Sequence, residues 1–251
     1  MIIYIRKKTA LFMFSSLLIL GFSLGAFRLA VHPNMENWKK QRIVITGIET
    51  NEKVIALTFD DGPDTENTSL ILDILKKHDA KATFFVLGQR AKKYPNLIKR
   101  MAEDGHEVGN HSFSHPDFNH KDRKSIREEI VKTNQIILRL TGKKPLFFRP
   151  PGGYLSYEMV DLVMKENMII GYWSYIQDPK DWQGRKGEDI AAYIINHIKP
   201  GQIIILHDGV PNGVETARAL DIFIPKLKKE GYRFVTMTEL IKAEKSNNAL
   251  P

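Results

Sequence analysis

The order of apolar segments predicts an α/β protein with a parallel sheet, most simply closed as a distorted β/α barrel of about seven strands. Short apolar runs typical of buried strands alternate with amphipathic stretches that repeat their apolar residues at helical spacing. Strand and helix alternate seven times, which favours a parallel sheet. An open doubly wound sheet is the alternative. The apolar runs lie at 54–59, 82–87, 106–109, 146–148, 168–173, 203–206 and 233–236.

Amphipathic helices are predicted between these runs. Ser125 and Glu128 have the spacing of a capping box, and Gly142 ends the same helix. Pro225 predicts a kink or a restart inside the last helix, because proline lacks the amide hydrogen that a helix interior needs. The helical segments lie at 68–78, 90–104, 123–141, 156–167, 188–199 and 214–230.

The composition is that of a globular protein of 251 residues, with 43% hydrophobic and 26% charged residues. The absence of cysteine excludes disulfides, thiolate metal sites and a cysteine nucleophile. The net charge is +8, but four of these charges lie in the first thirty residues, so the remainder carries only +4. With no basic stripe or nucleic-acid motif, we expect no nucleic-acid partner and a monomeric catalytic domain.

The N-terminus predicts a targeting segment within residues 1–30. A basic cluster at 6–8 precedes residues 9–27, which contain no charge and would span about 28 Å as a helix, close to the thickness of a bilayer core. Basic residues before the span favour an extracytoplasmic protein held by a signal-anchor. A cleaved signal peptide and a secreted protein are the alternative.

The remaining chain divides into three predicted parts. Residues 31–52 are expected to form a tether with a short strand, with the strand at 42–47. Residues 53–242 carry the alternating strands and helices and form the predicted catalytic domain. Residues 243–251 are expected to be a flexible tail.

Ionisable residues follow five of the predicted strands. The carboxyl ends of the strands are where a β/α barrel places its active site, so this recurrence favours a catalytic interpretation of each cluster. The clusters are Asp60 with Asp61, His111 with His115, Arg149, Asp178 with Asp181, and His207.

Asp61, His111 and His115 are the predicted metal ligands. The two histidines would share one face if their segment were helical. Two imidazoles and a carboxylate leave a coordination position open for water, as a hydrolytic Zn²⁺ site requires; Co²⁺, Mn²⁺ or Ni²⁺ could occupy the same set. Asp60 then remains free as a base, because Gly62 and the proline after it break the strand directly after the two carboxylates. An Asx-rich surface turn and a solvated histidine pair are the alternatives.

Arg149, Asp181 and His207 have predicted supporting roles. The fixed charge of Arg149 could orient Asp60 and keep it ionised, although a surface arginine is the alternative. Asp181 could orient the ring of His207 and stabilise its imidazolium form, which suits a general acid. A structural core histidine is the alternative for His207. Trp182 is expected at the wall of the site.

The ordered motifs resemble those of the polysaccharide deacetylases, the NodB homology domain of carbohydrate esterase family 4. The resemblance extends from about Lys53 to Leu240 and is carried by T-F-D-D-G-P-D, H-S-x-x-H, R-P-P-G-G, D-x-x-D-W and I-L-H-D-G. It implies a distorted β/α barrel and one divalent metal.

The resemblance also implies roles for individual residues. Asp60 would be the catalytic base, Asp61 with His111 and His115 the metal ligands, and His207 the acid that protonates the leaving amine. Arg149 would position Asp60, and Asp181 would position His207. Ile205 would line the acetyl pocket, and a backbone N–H of Gly152 or Gly153 would hold the oxyanion. The family often has an aromatic residue where this chain has Gly152, so the groove wall is expected to differ.

We therefore expect a metal-dependent hydrolase that removes N-acetyl groups from a cell-wall amino-sugar polymer, with peptidoglycan as the first choice. Acetate is released and a free amine remains. A chitin-oligosaccharide deacetylase, a metal-dependent phosphoesterase and a non-catalytic glycan-binding module of the same fold are the alternatives.

Overall fold

The computed structural model of the protein describes residues 34–247. The predicted membrane segment at 9–27 and the last residues of the predicted tail therefore lie outside the described residues. Among residues 34–247, no helix combines the length and the apolar character needed to span a bilayer.

Eight strands of the described chain form one parallel sheet. The main path has the order β1-β6-β5-β4-β3-β2-β7, and β8 pairs separately with β2. Every strand pair is parallel. The seven predicted strands are present as β2 to β8, and β1 lies in the stretch predicted as a short strand. The strands are β1 (Val44–Ile45), β2 (Val54–Asp60), β3 (Thr83–Val86), β4 (Glu107–Asn110), β5 (Phe147–Phe148), β6 (Ile169–Gly171), β7 (Ile203–His207) and β8 (Arg233–Val235).

The two ends of the strand path meet through irregular backbone. Gly47, just beyond β1, forms an isolated antiparallel bridge with Gln202, just before β7. The chain beyond β6 also bonds to β7, because the Ile205 N–H donates to the Gln177 carbonyl at 3.1 Å. The sheet is thus a (β/α) half-barrel of seven strands in its main path, with an irregular closing side. This agrees with the predicted distorted barrel rather than with an open doubly wound sheet.

Nine helices of the described chain connect and flank the strands. The helix predicted over 123–141 has those bounds, and the other five predicted segments are also helical. The helices are α1 (Met35–Lys40), α2 (Asn67–Lys77), α3 (Gly88–Lys93), α4 (Pro95–Glu103), α5 (Arg123–Thr141), α6 (Tyr157–Lys165), α7 (Gly187–His197), α8 (Gly213–Lys229) and α9 (Met237–Asn247).

Three details of the predicted helices differ from the structure. The segment 90–104 forms two helices that meet at Tyr94, since the residue before Pro95 is disfavoured in the α conformation. The cap of α5 is Asp122, whose side chain accepts the Ser125 N–H, rather than the predicted box that begins at Ser125. Helix α8 continues through Pro225 without a restart. Its buried face, which includes Phe223, Ile224 and Leu227, extends to both sides of the proline and holds the helix in place.

Alternation along β2 decides which side chains face the inside of the barrel. Residues 55, 57 and 59 pack in the core between sheet and helices, whereas Val54 and Ala56 pack in a second cluster with Phe85. Because successive strand side chains point to opposite faces, Thr58 and Asp60 share the face of Val54 and Ala56. Asp60 therefore stands inside the barrel at the carboxyl end of β2.

Helix α9 is an element that periodicity did not predict. The Glu239 carboxylate accepts the Thr236 N–H at 2.9 Å, and the Thr236 hydroxyl accepts the Glu239 N–H at 3.2 Å, so the helix begins with a capping box. Met237 and Leu240 are fully buried beside β2 and β7 residues. Most of the segment predicted as a tail is therefore helical, because this buried face anchors it.

The first described residues form a compact unit of their own, distinct from the unit that begins at Arg42. In the stretch predicted as a tether, residues 35–40 are helical. Glu36 in the first turn and Lys39 in the last favour this short helix, and they form an ion pair at 3.0 Å.

The packing of α9 can be tested with Leu240→Ala in the full chain. We expect the free energy of unfolding to fall by about 2–5 kcal/mol, because the substitution leaves a cavity in the core. Leu138→Ala makes the same change at a side chain that is 46% exposed and should alter the free energy by no more than about 0.5 kcal/mol. Urea unfolding measures both. Equal, small losses would show that α9 does not contribute to the core.

Candidate active site

Asp60 and Asp61 diverge at the end of β2. Asp60 is the last residue of the strand and is buried, while Asp61 has a φ of 73°, in the left-handed region that non-glycine residues rarely adopt. This reversal carries the second carboxylate toward the loop after β4. The break predicted at Gly62 and the proline after it begins one residue earlier, at Asp61 itself.

Asp61, His111 and His115 come together as predicted. The Asp61 Oδ1 atom lies 3.5 Å from Nε2 of His111 and 3.4 Å from Nε2 of His115. One ligand atom from each residue lies within 4.8 Å of the other two. The histidines do not lie on a helix, however. Left-handed residues at Ser112 and His115 curl the loop so that both rings face the same point.

The histidine loop is held by side chains that sequence reasoning missed. Asn110 Oδ1 accepts the Ser112 N–H at 2.7 Å. Glu129, on α5, accepts the Phe113 and Ser114 N–H groups, both at 2.8 Å. Asn110 directly precedes the H-S-x-x-H motif and could have been found there. Glu129 is distant in sequence, and no local signal marks it.

The three residues fit a divalent cation. His111 Nδ1 lies 2.7 Å from the Arg149 carbonyl oxygen, which keeps the proton on that nitrogen and leaves the Nε2 lone pair facing Asp61. Asp61 Oδ1 is buried and accepts no hydrogen bond among the described residues. A buried carboxylate oxygen without a donor is costly, and a cation would satisfy it. A carboxylate with two imidazoles is also a common donor set for a catalytic metal.

The charges of the three residues support ligation. Burial alone raises the pKa of Asp61, but the adjacent His111 and the charge of His115 outweigh it and hold that pKa well below its usual range. Burial and the charge of His111 lower the pKa of His115. Burial also lowers the pKa of His111, but Asp60 and Asp61 outweigh it and raise that pKa. Metal binding at His111 would therefore compete with protonation of its ring.

Arg149 is fully buried inside the barrel, which excludes the surface alternative. Its Nη1 donates to Asp60 Oδ1 at 2.7 Å and to the Thr58 hydroxyl at 2.8 Å. Its Nε and Nη2 donate to the Gly171 and Tyr172 carbonyls, both at 2.8 Å. Its guanidinium carbon lies 4.0 Å from the Phe85 ring centroid. Arg149 thus fixes one oxygen of Asp60, with Thr58 as a further partner that sequence reasoning missed.

His207 is paired with Asp181 at the end of β7. The Asp181 Oδ1 atom accepts the His207 Nδ1–H at 2.8 Å. Its Oδ2 atom accepts the His207 backbone N–H and the Thr216 hydroxyl, both at 2.8 Å. Burial lowers the pKa of His207, but the hydrogen bond and charge of Asp181, together with Asp60 and Asp61, outweigh it and raise that pKa to about 9. The ring is therefore protonated at neutral pH. Thr216 lies on α8, and no local signal predicted it.

A family model described as polysaccharide deacetylase matches residues 47–168. A peptidoglycan-N-acetylglucosamine deacetylase of Bacillus cereus is 40% identical over 199 residues, which cover 78% of this chain and 91% of that relative. This chain belongs to the polysaccharide deacetylase family. The peptidoglycan-N-acetylmuramic acid deacetylase PdaC of Bacillus subtilis is 39% identical over 202 residues, covering 80% of this chain and 42% of that relative.

Solved structures of the family share the fold. A peptidoglycan N-acetylglucosamine deacetylase in complex with 4-naphthalen-1-yl-N-oxidanyl-benzamide matches with a TM-score of 0.77 and 38% identity over 81% of this chain and 94% of that one. A family 4 acetyl xylan esterase from Clostridium thermocellum, in complex with a cobalt ion, has a TM-score of 0.69 and 42% identity over 76% and 91% of the two chains. A CE4 family pseudoenzyme from Bacillus anthracis has a TM-score of 0.73 and 34% identity over 80% and 69%.

The turn after Arg149 departs from the aromatic residue common in polysaccharide deacetylases. Gly152 and Gly153 both have positive φ, 61° and 71°. A Cβ at Gly152 would meet no atom within 4 Å, so this part of the groove is open. A Cβ at Gly153 would lie 2.5 Å from the Tyr172 hydroxyl oxygen, which donates to the Gly153 carbonyl at 3.0 Å. Glycine at 153 is therefore required by both the backbone and the close approach of Tyr172.

The remaining predicted residues have different surroundings. Ile205 is buried on β7 and pairs with Thr58 of β2. The next pair along these two strands is Leu206 with Phe59. Trp182 directly follows Asp181 and is 47% exposed, so it is not a core residue. Asp178 does not belong to the cluster of Asp61 with the two histidines. It forms an ion pair with Lys180 at 2.6 Å instead.

The metal ligands can be tested with Asp61→Ala in the full chain. We expect Zn²⁺ affinity to fall by more than about 100-fold, since losing an outer-sphere partner alone typically costs 10–100-fold. Asp117→Ala is the matched control, because Asp117 is an exposed carboxylate 3.6 Å from His120. Competition with a chelating dye measures both affinities. Unchanged Zn²⁺ affinity in Asp61→Ala would remove this residue from the ligand set.

Proposed function

We propose that this chain is a metal-dependent hydrolase that removes N-acetyl groups from a cell-wall amino-sugar polymer, with peptidoglycan as the substrate. The observation that carries the proposal is that two adjacent carboxylates have different partners. Asp61 faces the two histidines and forms a possible metal site with them, whereas Asp60 is held by Arg149 and is not part of that site. An amide hydrolase needs both a cation site and a separate base beside it.

The cation would be held by Asp61, His111 and His115. When bound there, it would lower the pKa of a water molecule toward about 7 and polarise the acetyl carbonyl. We propose Zn²⁺, which this donor set suits, with Co²⁺, Mn²⁺ and Ni²⁺ as replacements. Within residues 34–247 this is the one cluster of three possible ligands, which does not favour a two-metal phosphoesterase.

Asp60 acts as the general base. Arg149 binds its Oδ1 atom, so Oδ2 is the oxygen left to accept the proton of the attacking water. This second oxygen lies 3.7 Å from Nε2 of His111, at the edge of the metal cluster. Four hydrogen bonds fix the Arg149 guanidinium, and the one to Asp60 keeps that carboxylate in one orientation.

His207 acts as the general acid. Asp181 holds its Nδ1–H, so Nε2–H is the donor available to the departing amine nitrogen. Protonation of that nitrogen makes it a better leaving group as acetate separates. Ile205, on the same strand, would contact the acetyl methyl group.

The Gly152 N–H is the proposed oxyanion donor. The Gly153 N–H donates to the Pro150 carbonyl at 3.0 Å, which leaves the Gly152 amide as the available donor of the pair. Donors of this kind are typically worth about 3 kcal/mol of transition-state stabilisation. Trp182 and the open position at Gly152 would form the groove walls for the sugar chain.

We also propose that the chain is extracytoplasmic and is held at the membrane by residues 9–27. The support is the uncharged 19-residue stretch behind a basic cluster. Together with the short segment at 31–41, this anchor would keep the catalytic domain near wall glycan. N-terminal sequencing of the exported protein tests this location. A mature N-terminus near Ala26 or Ala30 would show a cleaved signal peptide and a secreted enzyme instead.

The enzymatic proposal is tested with Asp60→Asn. We expect acetate release by the Zn²⁺-loaded full chain to fall by about 10²–10⁴-fold, the usual contribution of a general base, with Zn²⁺ still bound. Substrates are intact peptidoglycan, glycan strands stripped of peptide and chitin oligomers, which also separate the named substrate classes. Asp117→Asn is the control for removing an exposed carboxylate. Wild-type acetate release by Asp60→Asn would remove Asp60 from the mechanism. Glycan binding without acetate release by the wild-type chain would favour a non-catalytic module.

The pair of His207 and Asp181 predicts a pH dependence. Since the acid form of His207 is required, kcat should fall as pH rises through about 9. Asp181→Asn removes the charge that raises the His207 pKa, so the alkaline limb should move to lower pH. The folded-state pKa lies above the ordinary 6.5, so this pair stabilises the fold fully below pH 6.5 and loses that effect as pH rises toward 9. An alkaline limb that stays in place in Asp181→Asn would contradict the pairing.

A further inference from the structure

Asp208 is a buried carboxylate that the proposed mechanism leaves without a role. It follows His207 directly and is only 1% exposed. Its Oδ2 atom accepts the Thr68 hydroxyl at 2.5 Å, while its Oδ1 atom is buried and accepts no hydrogen bond among the described residues. A buried carboxylate with one unsatisfied oxygen is costly to the folded state. Such a residue needs an explanation beyond packing.

Asp208 lies directly against the backbone that carries Asp61. A Cβ added at Gly62 would lie 2.1 Å from the Asp208 Oδ2 atom, so only glycine permits this approach. The next residue, Gly209, approaches Asp61 as closely, because a Cβ there would lie 2.3 Å from the Asp61 carbonyl carbon and oxygen. The Asp208 N–H also donates to the Asp60 carbonyl at 3.2 Å. The loop after β7 thus encloses the turn at Asp61.

Thr68 extends this contact to the far end of the same turn. Its hydroxyl donates to Asp208 and accepts the Asp64 N–H at 2.7 Å. The Asp64 carboxylate in turn accepts the N–H groups of Glu66 and Asn67, at 3.0 and 3.1 Å. The buried Thr68–Asp208 hydrogen bond thus ties both ends of the segment 61–67 to the loop after β7, beside the Leu87 N–H that donates to the Gly62 carbonyl at 2.9 Å.

We propose that Asp208 is a positioning residue for the metal ligands. Through Thr68 and Gly62 it holds the left-handed backbone of Asp61, which aims that carboxylate at His111 and His115. This inference rests on the proposed metal site. It assigns Asp208 no contact with substrate, and it gives the buried carboxylate a role in metal affinity rather than in proton transfer.

The test compares three variants of the full chain. Thr68→Val replaces the hydroxyl with a methyl group of similar size, and Asp208→Ala removes the acceptor. Each should weaken Zn²⁺ binding by about 10–100-fold, the usual effect of losing an outer-sphere partner. Asp208→Asn keeps an oxygen for the Thr68 hydroxyl and should recover most of the affinity lost in Asp208→Ala. Zn²⁺ titration against a chelating dye measures all three.

Ser69→Ala is the matched control. It removes the neighbouring hydroxyl on α2, which donates to the Thr65 carbonyl at 2.7 Å and not to Asp208. Its Zn²⁺ affinity should equal that of the wild-type chain. If Asp208→Ala does not fold, Thr68→Val alone decides the result, because it keeps the carboxylate and the packing volume.

Thermal unfolding with and without Zn²⁺ separates positioning from a purely structural role. A ligand that binds the folded state raises Tm by an amount set by its affinity. A positioning residue should therefore reduce the Zn²⁺-induced rise in Tm, whereas a purely structural residue lowers Tm equally in both conditions. Unchanged Zn²⁺ affinity and an unchanged rise in Thr68→Val would overturn the proposal. A wild-type chain that binds Zn²⁺ but releases no acetate would instead contradict the proposed function alone.

Discussion

The buried ion pair between Arg149 and Asp60 is the interaction on which the rest of the site depends. A guanidinium without contact to water must be paired, and here it bonds to Asp60, Thr58 and two backbone carbonyls at the end of β6. Its backbone carbonyl also holds His111. One residue thus joins the ends of β2, β4, β5 and β6. The position of the Asp60 carboxylate and the orientation of the His111 ring follow from the same residue.

This pair is possible because the barrel is parallel and irregular on one side. Parallel strands bring all their carboxyl ends to one edge, and alternation along β2 turns Thr58 and Asp60 inward beneath that edge. The apolar part of the same face, with Val54 and Ala56, packs against Phe85 and Met237. The barrel interior is therefore apolar at its amino end and polar at its carboxyl end. Arg149 lies at the transition between the two.

Adjacent carboxylates need different surroundings to have different roles. Asp60 remains in the strand conformation and pairs with the Arg149 guanidinium. Asp61 takes a left-handed conformation and lies beside two imidazoles. The end of β7 supplies the paired His207, and the loop after it supplies the buried Asp208, which packs against Gly62. The positions of Asp60, Asp61 and His207 are consequently set by one sheet edge and by two loops that touch each other.

The sequence by itself determined the strands, most of the helices, the family and the residues that meet at the site, because periodicity and motif order are local properties of the chain. It missed α9, since the buried face of that helix is recognised only against β2 and β7. It offered a shared face for His111 and His115 only on condition that their segment is helical, whereas a loop held by Glu129 brings them together. Only the tertiary structure shows the contacts of Thr58, Thr216 and Glu129 with the site residues. Their roles come from hydrogen bonds between residues far apart in sequence, and no spacing or composition within the chain encodes such a contact.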